Sequence, residues 1–141
     1  MIPLTDSHPA MLTLRAHAER DYPREACGVF AMDQAGAVRC VVGRNRAEAP
    51  DEFELDAATI LRCRRARLEI CALYHSHCDA PPGLSPRDLN SALIDGEPAW
   101  PGVDLIVNSV LAGRSGHLNH YVWSDAVGRF TLSDAAYQAP T

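Results

Sequence analysis

Two histidines at the end of an apolar run are the feature that most restricts how this chain can fold. The run 70–74 leads directly into His75 and His77, which are two residues apart. A short apolar run of this kind predicts a buried strand, and alternate side chains of a strand point to the same face. His75 and His77 should therefore lie side by side, and neutral imidazole is a common zinc ligand.

Asp88 is the residue that can complete a metal site with these histidines. The segment 81–83, Pro-Pro-Gly, turns the chain after the strand. Ser85 followed by Pro86 predicts the start of a helix, with Asp88 in its first turn and close to the end of the strand. Two histidines and one aspartate leave a fourth position for water, which is the arrangement of a catalytic zinc site.

Each half of this pattern also has a plainer interpretation. A His-x-His pair is often only the polar end of a strand. Ser85 and Asp88 also form a capping box, and most capping boxes do no more than start a helix. The two halves together, at this spacing, favour the metal site.

The spacing of the two halves resembles the JAMM motif of the MPN (Mov34/PAD-1, JAB) metallopeptidases, which also contains an upstream glutamate. The matching residues are Glu25, His75, His77, Ser85 and Asp88. The flanking segments 16–23 and 73–75 are similar to the small stand-alone bacterial members, some of which process ubiquitin-like sulfur-carrier proteins. The resemblance covers nearly the whole chain.

The resemblance implies a zinc peptidase with three metal ligands and two catalytic side chains. His75, His77 and Asp88 would hold Zn²⁺. Glu25 would take a proton from zinc-bound water and deliver it to the leaving amine, and Ser85 would donate a hydrogen bond to the developing oxyanion. The alternatives are that Glu25 is an exposed loop residue and that Ser85 is only a helix cap.

A ubiquitin-like protein of the sulfur-carrier type is the predicted substrate and partner. The resemblance implies hydrolysis after its C-terminal Gly-Gly, and such a tail fits a narrow channel because glycine has no Cβ atom. One alternative is the same chemistry on another peptide, such as peptidoglycan peptide in phage-tail members. Another is a non-catalytic MPN scaffold that works by binding partners. Such scaffolds typically lack the ligands, whereas all of the motif residues are present here.

Length, charge and cysteine content narrow the class of protein. The 141 residues predict a single domain over 1–141, long enough to bury a core. The net charge of −5 argues against nucleic-acid or anionic-membrane partners. The 5 cysteines are odd in number and form no Cys-x-x-Cys pair, which favours a reducing cytosol over a disulfide framework. The polar start of the chain is unlike a signal peptide, so a cytoplasmic protein is expected.

Apolar patterns and turn residues predict an α+β fold. Besides the histidine strand, helices are expected at 10–20, 57–68 and 86–94, strands at 26–32, 37–42, 103–111, 117–124 and 129–132, and a loose tail at 134–141. The MPN resemblance implies a mixed, mainly antiparallel, β-barrel-like sheet flanked by two or three helices. The order of the predicted helices and strands is compatible with this fold. The helix at 57–68 carries four arginines. They form either a solvated face or a docking surface for an acidic partner.

Other histidines and one cysteine remain as weaker candidates. Cys78 follows His77 directly, so it is either an idle loop thiol, an inhibiting fourth ligand or a site of oxidation. His117 and His120 fall on opposite faces of one predicted strand, which argues against a second metal site. His17 is expected on the surface.

Overall fold

The computed structural model describes residues 2–134 and 137–139. Its helices and strands, in chain order, are β1 (Ile2–Pro3), α1 (Pro9–Asp21), β2 (Cys27–Met32), β3 (Val38–Val42), α2 (Ala57–Arg65), β4 (Glu69–Cys78), α3 (Pro86–Ala92), β5 (Leu93–Ile94), β6 (Glu97–Pro98), β7 (Asp104–Leu111), β8 (Arg114–Ser124), β9 (Arg129–Leu132) and β10 (Gln138–Ala139). Among these described segments, no helix has both the length and the apolar character needed to cross a membrane.

Six strands form one curled sheet in the order β3-β2-β4-β7-β8-β9. β4 and β7 run parallel, and the other neighbouring strands are antiparallel. With three helices beside it, this mixed and mainly antiparallel sheet confirms the predicted α+β class. β4 lies between β2 and β7 and is buried over most of its length, which explains why its sequence is apolar on both faces.

The alternation of side chains along β4 decides which face carries the histidines. Tyr74 and Ala72 pack in one apolar cluster with Leu14 of α1. Leu73 points to the other face, where it packs near Cys63 of α2. His75 and His77 continue the row of Leu73, because residues two apart share a face, so they project on the side of α2.

Two helices end earlier than the sequence predicts. α2 stops at Arg65, and Arg67 takes a left-handed conformation with φ of 55°. α3 stops at Ala92, whereas the prediction extended it to residue 94. β5 and β6 pair as a hairpin directly after it, and this pairing withdraws residues 93 and 94 from the helix.

The prediction of a loose C-terminal tail is wrong for residues 137–139. β10 pairs antiparallel with β1. Tyr137 is 1% exposed, and its ring centroid lies 5.6 Å from that of Phe30. Burial of this aromatic ring in the core outweighs the entropy cost of ordering a short segment. Residues 135, 136, 140 and 141 of the predicted tail lie outside the described part of the chain.

Candidate metal centre

His75, His77 and Asp88 bring three ligand atoms together at one point. The two Nε2 atoms are 3.2 Å apart, and Asp88 Oδ2 lies 3.2 Å from His75 Nε2 and 3.1 Å from His77 Nε2. Zinc bonds of about 2.0–2.2 Å in a tetrahedral arrangement set neighbouring ligand atoms roughly 3.3–3.6 Å apart. All three side chains are buried. This near-equilateral triangle of two nitrogens and one carboxylate oxygen fits a zinc ion.

The start of α3 delivers Asp88 to the histidines. Ser85 is the N-cap, with Pro86 at the first helical position. The Ser85 Oγ accepts a hydrogen bond from the Asp88 N–H over 3.1 Å, and Asp88 Oδ2 accepts one from the Ser85 N–H over 3.0 Å. The oxygen that completes this capping box is therefore the one that faces both imidazoles. One carboxylate oxygen could therefore serve both as a cap and as a metal ligand.

The loop after β4 fixes the orientation of His77. The His77 Nδ1 lies 2.8 Å from the carbonyl oxygen of Pro81. A carbonyl can only accept, so Nδ1 carries the hydrogen, and in the neutral ring Nε2 keeps a free electron pair toward the site. The hydroxyls of Ser109 and Tyr121 hold this loop by donating to Ala80 O over 2.6 Å and to Pro82 O over 2.9 Å.

Phe53 holds the other imidazole and was missed by sequence reasoning. Its ring stacks on that of His75, with centroids 4.1 Å apart and planes at 17°. Phe53 belongs to the long segment between β3 and α2, where no motif or periodicity marks an aromatic residue as part of a site. The hydrophobic residue beside an acidic pair at 51–52 is the only signal the sequence carries.

Glu25 joins the same cluster from the segment just before β2. The Ser76 N–H donates to Ala26 O over 2.9 Å, and the Ala26 N–H donates to Ser76 Oγ over 2.7 Å. This pairing of the strand ends places Glu25 beside His77. Glu25, His75 and His77 each present an atom able to bind a metal, and these atoms lie within 4.8 Å of one another. Glu25 is only 6% exposed, so its interpretation as an exposed loop residue is wrong.

Burial and mutual contact shift the proton affinities of the cluster. Burial raises the pKa of Glu25 to about 7. Burial also lowers the pKa of His75 below its usual value. Burial tends to raise the pKa of Asp88, but its hydrogen bonds with His75 and His77 outweigh burial and hold the pKa of the carboxyl well below its usual range. Burial tends to lower the pKa of His77, but its hydrogen bonds with Asp88 and Pro81 outweigh burial, so the pKa is raised above its usual value.

Two surface cavities meet at the candidate ligand atoms, and Phe53 lines both. The first is an apolar groove of about 240 Å³ with His75 and Asp88 at its polar end, and its apolar walls include Phe53, Leu55, Leu73, Trp100 and Phe130. The second is a polar cleft of about 470 Å³ whose lining includes Glu25, His77, Ser85 and Asp88. An ion pair between Arg87 and Glu52 lies at this cleft. The site therefore has apolar surface on one side and polar surface on the other.

The weaker cysteine and histidine candidates differ in burial and in their contacts. Cys78 is half-buried in the wall of the polar cleft, and burial raises the pKa of its thiol to about 11, so it stays protonated at neutral pH. His117 is exposed, while the buried His120 binds Asp104 over 2.8 Å. The surface location expected for His17 is wrong, because it lies on the buried face of α1 and is 2% exposed.

Comparisons with known proteins assign the chain to a family. The model of prokaryotic homologs of the JAB domain matches residues 7–123, a range that includes all five motif residues. The chain belongs to this family, and the resemblance to the JAMM/MPN class is confirmed.

Individual relatives agree with this class. A desampylase of Pyrococcus furiosus is 33% identical over 88 residues, which are 60% of this chain and 59% of that protein. The match therefore spans less than two thirds of the length of this curated relative. The solution structure of a Salinibacter ruber protein covers 100% of this chain and 95% of its own, with a TM-score of 0.62 and 23% identity. A Desulfitobacterium hafniense protein covers 94% and 90%, with a TM-score of 0.64 and 20% identity. The two structures share the fold.

Proposed function

We propose that this chain is a zinc-dependent JAMM-type peptidase that cleaves after the C-terminal Gly-Gly of a ubiquitin-like carrier protein. The observation that carries the proposal is the triangle of His75, His77 and Asp88 ligand atoms, with sides of 3.1–3.2 Å, beside the buried Glu25. Membership of the JAB family and similarity to a protein named desampylase support a hydrolase of this kind. We further propose that residues 1–141 form one such domain.

Three side chains would hold the metal. The Nε2 atoms of His75 and His77 supply neutral nitrogen ligands, and Asp88 Oδ2 supplies the anionic oxygen. Bound zinc lowers the pKa of a water molecule and polarises a scissile carbonyl group. The hydrogen bond from His77 Nδ1 to Pro81 keeps its Nε2 in the form that binds a metal, as outer-shell partners of ligating histidines commonly do.

Glu25 and Ser85 would carry the proton and the developing charge. The Glu25 carboxylate takes a proton from the attacking water and returns it to the amine nitrogen of the leaving group. The Ser85 hydroxyl donates to the carbonyl oxygen as negative charge develops there. Ser85 Oγ already accepts from the Asp88 N–H, but a hydroxyl can accept with a lone pair and donate its own hydrogen at the same time. The cap and the oxyanion role are therefore compatible.

The depth of the site favours an extended substrate. His75 and Asp88 are 5% and 7% exposed, so a peptide bond inside a folded domain cannot approach their ligand atoms. A flexible tail can, and glycines without Cβ atoms pass a narrow entrance most easily. A ubiquitin-like carrier with a C-terminal Gly-Gly extension meets both requirements. The net charge of −5 agrees with a protein partner rather than a nucleic acid.

Intact-mass measurement of a carrier protein tests the proposal. A ubiquitin-like carrier bearing one added residue after Gly-Gly is incubated with the zinc-loaded protein, and we expect loss of that residue. The Glu25→Gln variant, which cannot accept a proton, should bind zinc and leave the carrier intact. A carrier that stays whole while a peptidoglycan peptide is cut would replace this substrate with the alternative one. Cleavage of neither, with zinc bound, would support a binding scaffold.

A further inference from the structure

Asn45 uses its whole side-chain amide to tie together four backbone groups. Its Nδ2 donates to the carbonyl oxygens of Glu25 over 2.9 Å and Glu52 over 2.8 Å. Its Oδ1 accepts from the N–H groups of Ala47 over 2.9 Å and Glu54 over 3.0 Å. A primary amide has two donors and an oxygen with two lone pairs, so every hydrogen-bonding position of Asn45 is occupied.

The segment that Asn45 organises contacts the proposed site at two points. One is the backbone of Glu25, whose carbonyl binds Asn45 and whose N–H donates to Pro50 O over 3.1 Å. The other is Phe53, whose ring stacks on His75 at 4.1 Å. Glu25 lies just before β2, outside the strand ladder. The segment therefore fixes the backbone of Glu25 where the sheet does not.

We propose that Asn45 is a positioning residue, which holds Glu25 and the Phe53–His75 stack in one rigid unit. The functional importance of this unit rests on the proposed function, since it assigns Glu25 as proton carrier and His75 as metal ligand. Asn45 touches neither imidazole nor carboxylate side chain in its four hydrogen bonds, and it acts through backbone atoms and through Phe53.

The physical reason lies in the donors of Asn45. Without them, the carbonyls of Glu25 and Glu52 lose their partner, and of the two hydrogen bonds that tie the segment to the backbone of Glu25 only the one from the Glu25 N–H to Pro50 O remains. A ligating histidine whose ring is free to turn loses preorganisation, and removal of outer-shell partners typically lowers metal affinity by about 10–100-fold. Small displacements of a proton carrier likewise cost rate.

The test uses Asn45→Asp, which keeps the shape of the side chain but removes both N–H donors. Asn108→Asp is the matched control, because Asn108 Nδ2 also donates to two carbonyl oxygens, those of Gly116 and His117 over 3.3 and 3.2 Å. Asn108 is fully buried on β7 beside Ser76, on the face away from the metal ligands.

Phe53→Leu supplies the reference in which the stacked ring is absent. Two quantities are measured on the full chain: the ring-proton NMR shifts of His75, and zinc affinity by competition with a chelator.

We expect the His75 shifts of Asn45→Asp to move toward those of Phe53→Leu, because the ring current of Phe53 is lost in both. Zinc affinity should fall about 10-fold or more in both variants. Asn108→Asp should lower thermal stability yet keep both readouts at wild-type values. Wild-type shifts and affinity in a folded Asn45→Asp protein would overturn the proposal. If that variant does not fold, Asn45→Ser, which keeps one hydroxyl donor, is judged by the same two readouts. The NMR comparison does not need catalysis, so a chain that cleaves no carrier still decides it.

Discussion

The Nδ1–H of His77 donates to the carbonyl oxygen of Pro81 over 2.8 Å, and this bond selects the ring nitrogen that faces Asp88. A histidine can present either nitrogen to a metal, and the hydrogen bond at the other nitrogen decides which. Pro81 lies in the turn that separates the histidine strand from α3. The turn therefore does more than reverse the chain, since it also sets the chemical form of a proposed ligand.

His77→Ala should abolish stoichiometric zinc binding. The change removes one of the three ligands, and two remaining ligands hold zinc weakly. Metal analysis of purified protein by mass spectrometry measures the effect. His117→Ala is the control, since His117 is exposed on β8 and should leave zinc content unchanged. Full zinc retention in His77→Ala would remove this residue from the ligand set.

Ser85→Gly and Ser85→Ala separate the catalytic role of the hydroxyl from its role as a cap. Both remove the hydroxyl, so both should lower turnover by about 10²–10³-fold if Ser85 donates to the oxyanion. Alanine at an N-cap costs about 0.5–2 kcal/mol, whereas glycine costs only a few tenths. Unfolding in urea should then show a stability loss mainly for Ser85→Ala. A turnover loss that follows stability instead would mean that Ser85 is only a cap.

Gly28→Ala should destabilise the protein although the change adds one methyl group. A Cβ at Gly28 would overlap the hydroxyl oxygen and two ring carbons of the buried Tyr74, whose hydroxyl is hydrogen-bonded to His17. Overpacking of this kind typically costs about 1–3 kcal/mol. Gly83→Ala is the control, because a Cβ there has no neighbour within 4 Å. Equal thermal midpoints for the two variants would show that the Tyr74 ring can move aside.

Asp56→Asn should lower stability at neutral pH and less so in acid. Asp56 Oδ1 accepts from the Arg44 N–H over 2.9 Å and the Thr59 hydroxyl over 2.5 Å. Burial acts to raise the pKa of Asp56, but these hydrogen bonds outweigh it and leave the pKa below its usual value. A carboxylate with a lowered folded pKa stabilises the protein fully above its unfolded pKa of about 4, and this contribution is lost as pH falls through the folded pKa.

Urea unfolding at several pH values checks this prediction. We expect Asp56→Asn to be less stable than wild type at pH 7 by about 1 kcal/mol, because the amide oxygen still accepts both hydrogen bonds but lacks the charge that strengthens them. The gap should narrow below about pH 4. Asp95→Asn, at an exposed turn position, should follow wild type throughout. A gap that is constant from pH 7 to acid would assign the effect to shape rather than charge.

The geometry of the proposed ligand set was predictable because it is local. His75 and His77 need only the alternation of one strand, and Ser85 and Asp88 need only the geometry of one helix start. Glu25 was found through a motif, not through spacing, since 50 residues separate it from His75. Asn45 and Phe53 carry no such signal. Their roles arise from a long irregular segment, whose path no periodicity describes.

The sequence by itself determined the class of fold, the pair of imidazoles on one face and the start of α3, because strand alternation and helix capping act over a few residues. Tertiary structure decided how residues that are far apart in the chain come into contact. Pairing of β2 with β4 brings Glu25 to His77, and packing of Phe53 against His75 joins the groove to the cleft. It also ordered Tyr137 in the core. These contacts depend on which apolar surfaces are buried together, a property of the whole chain that no local pattern contains.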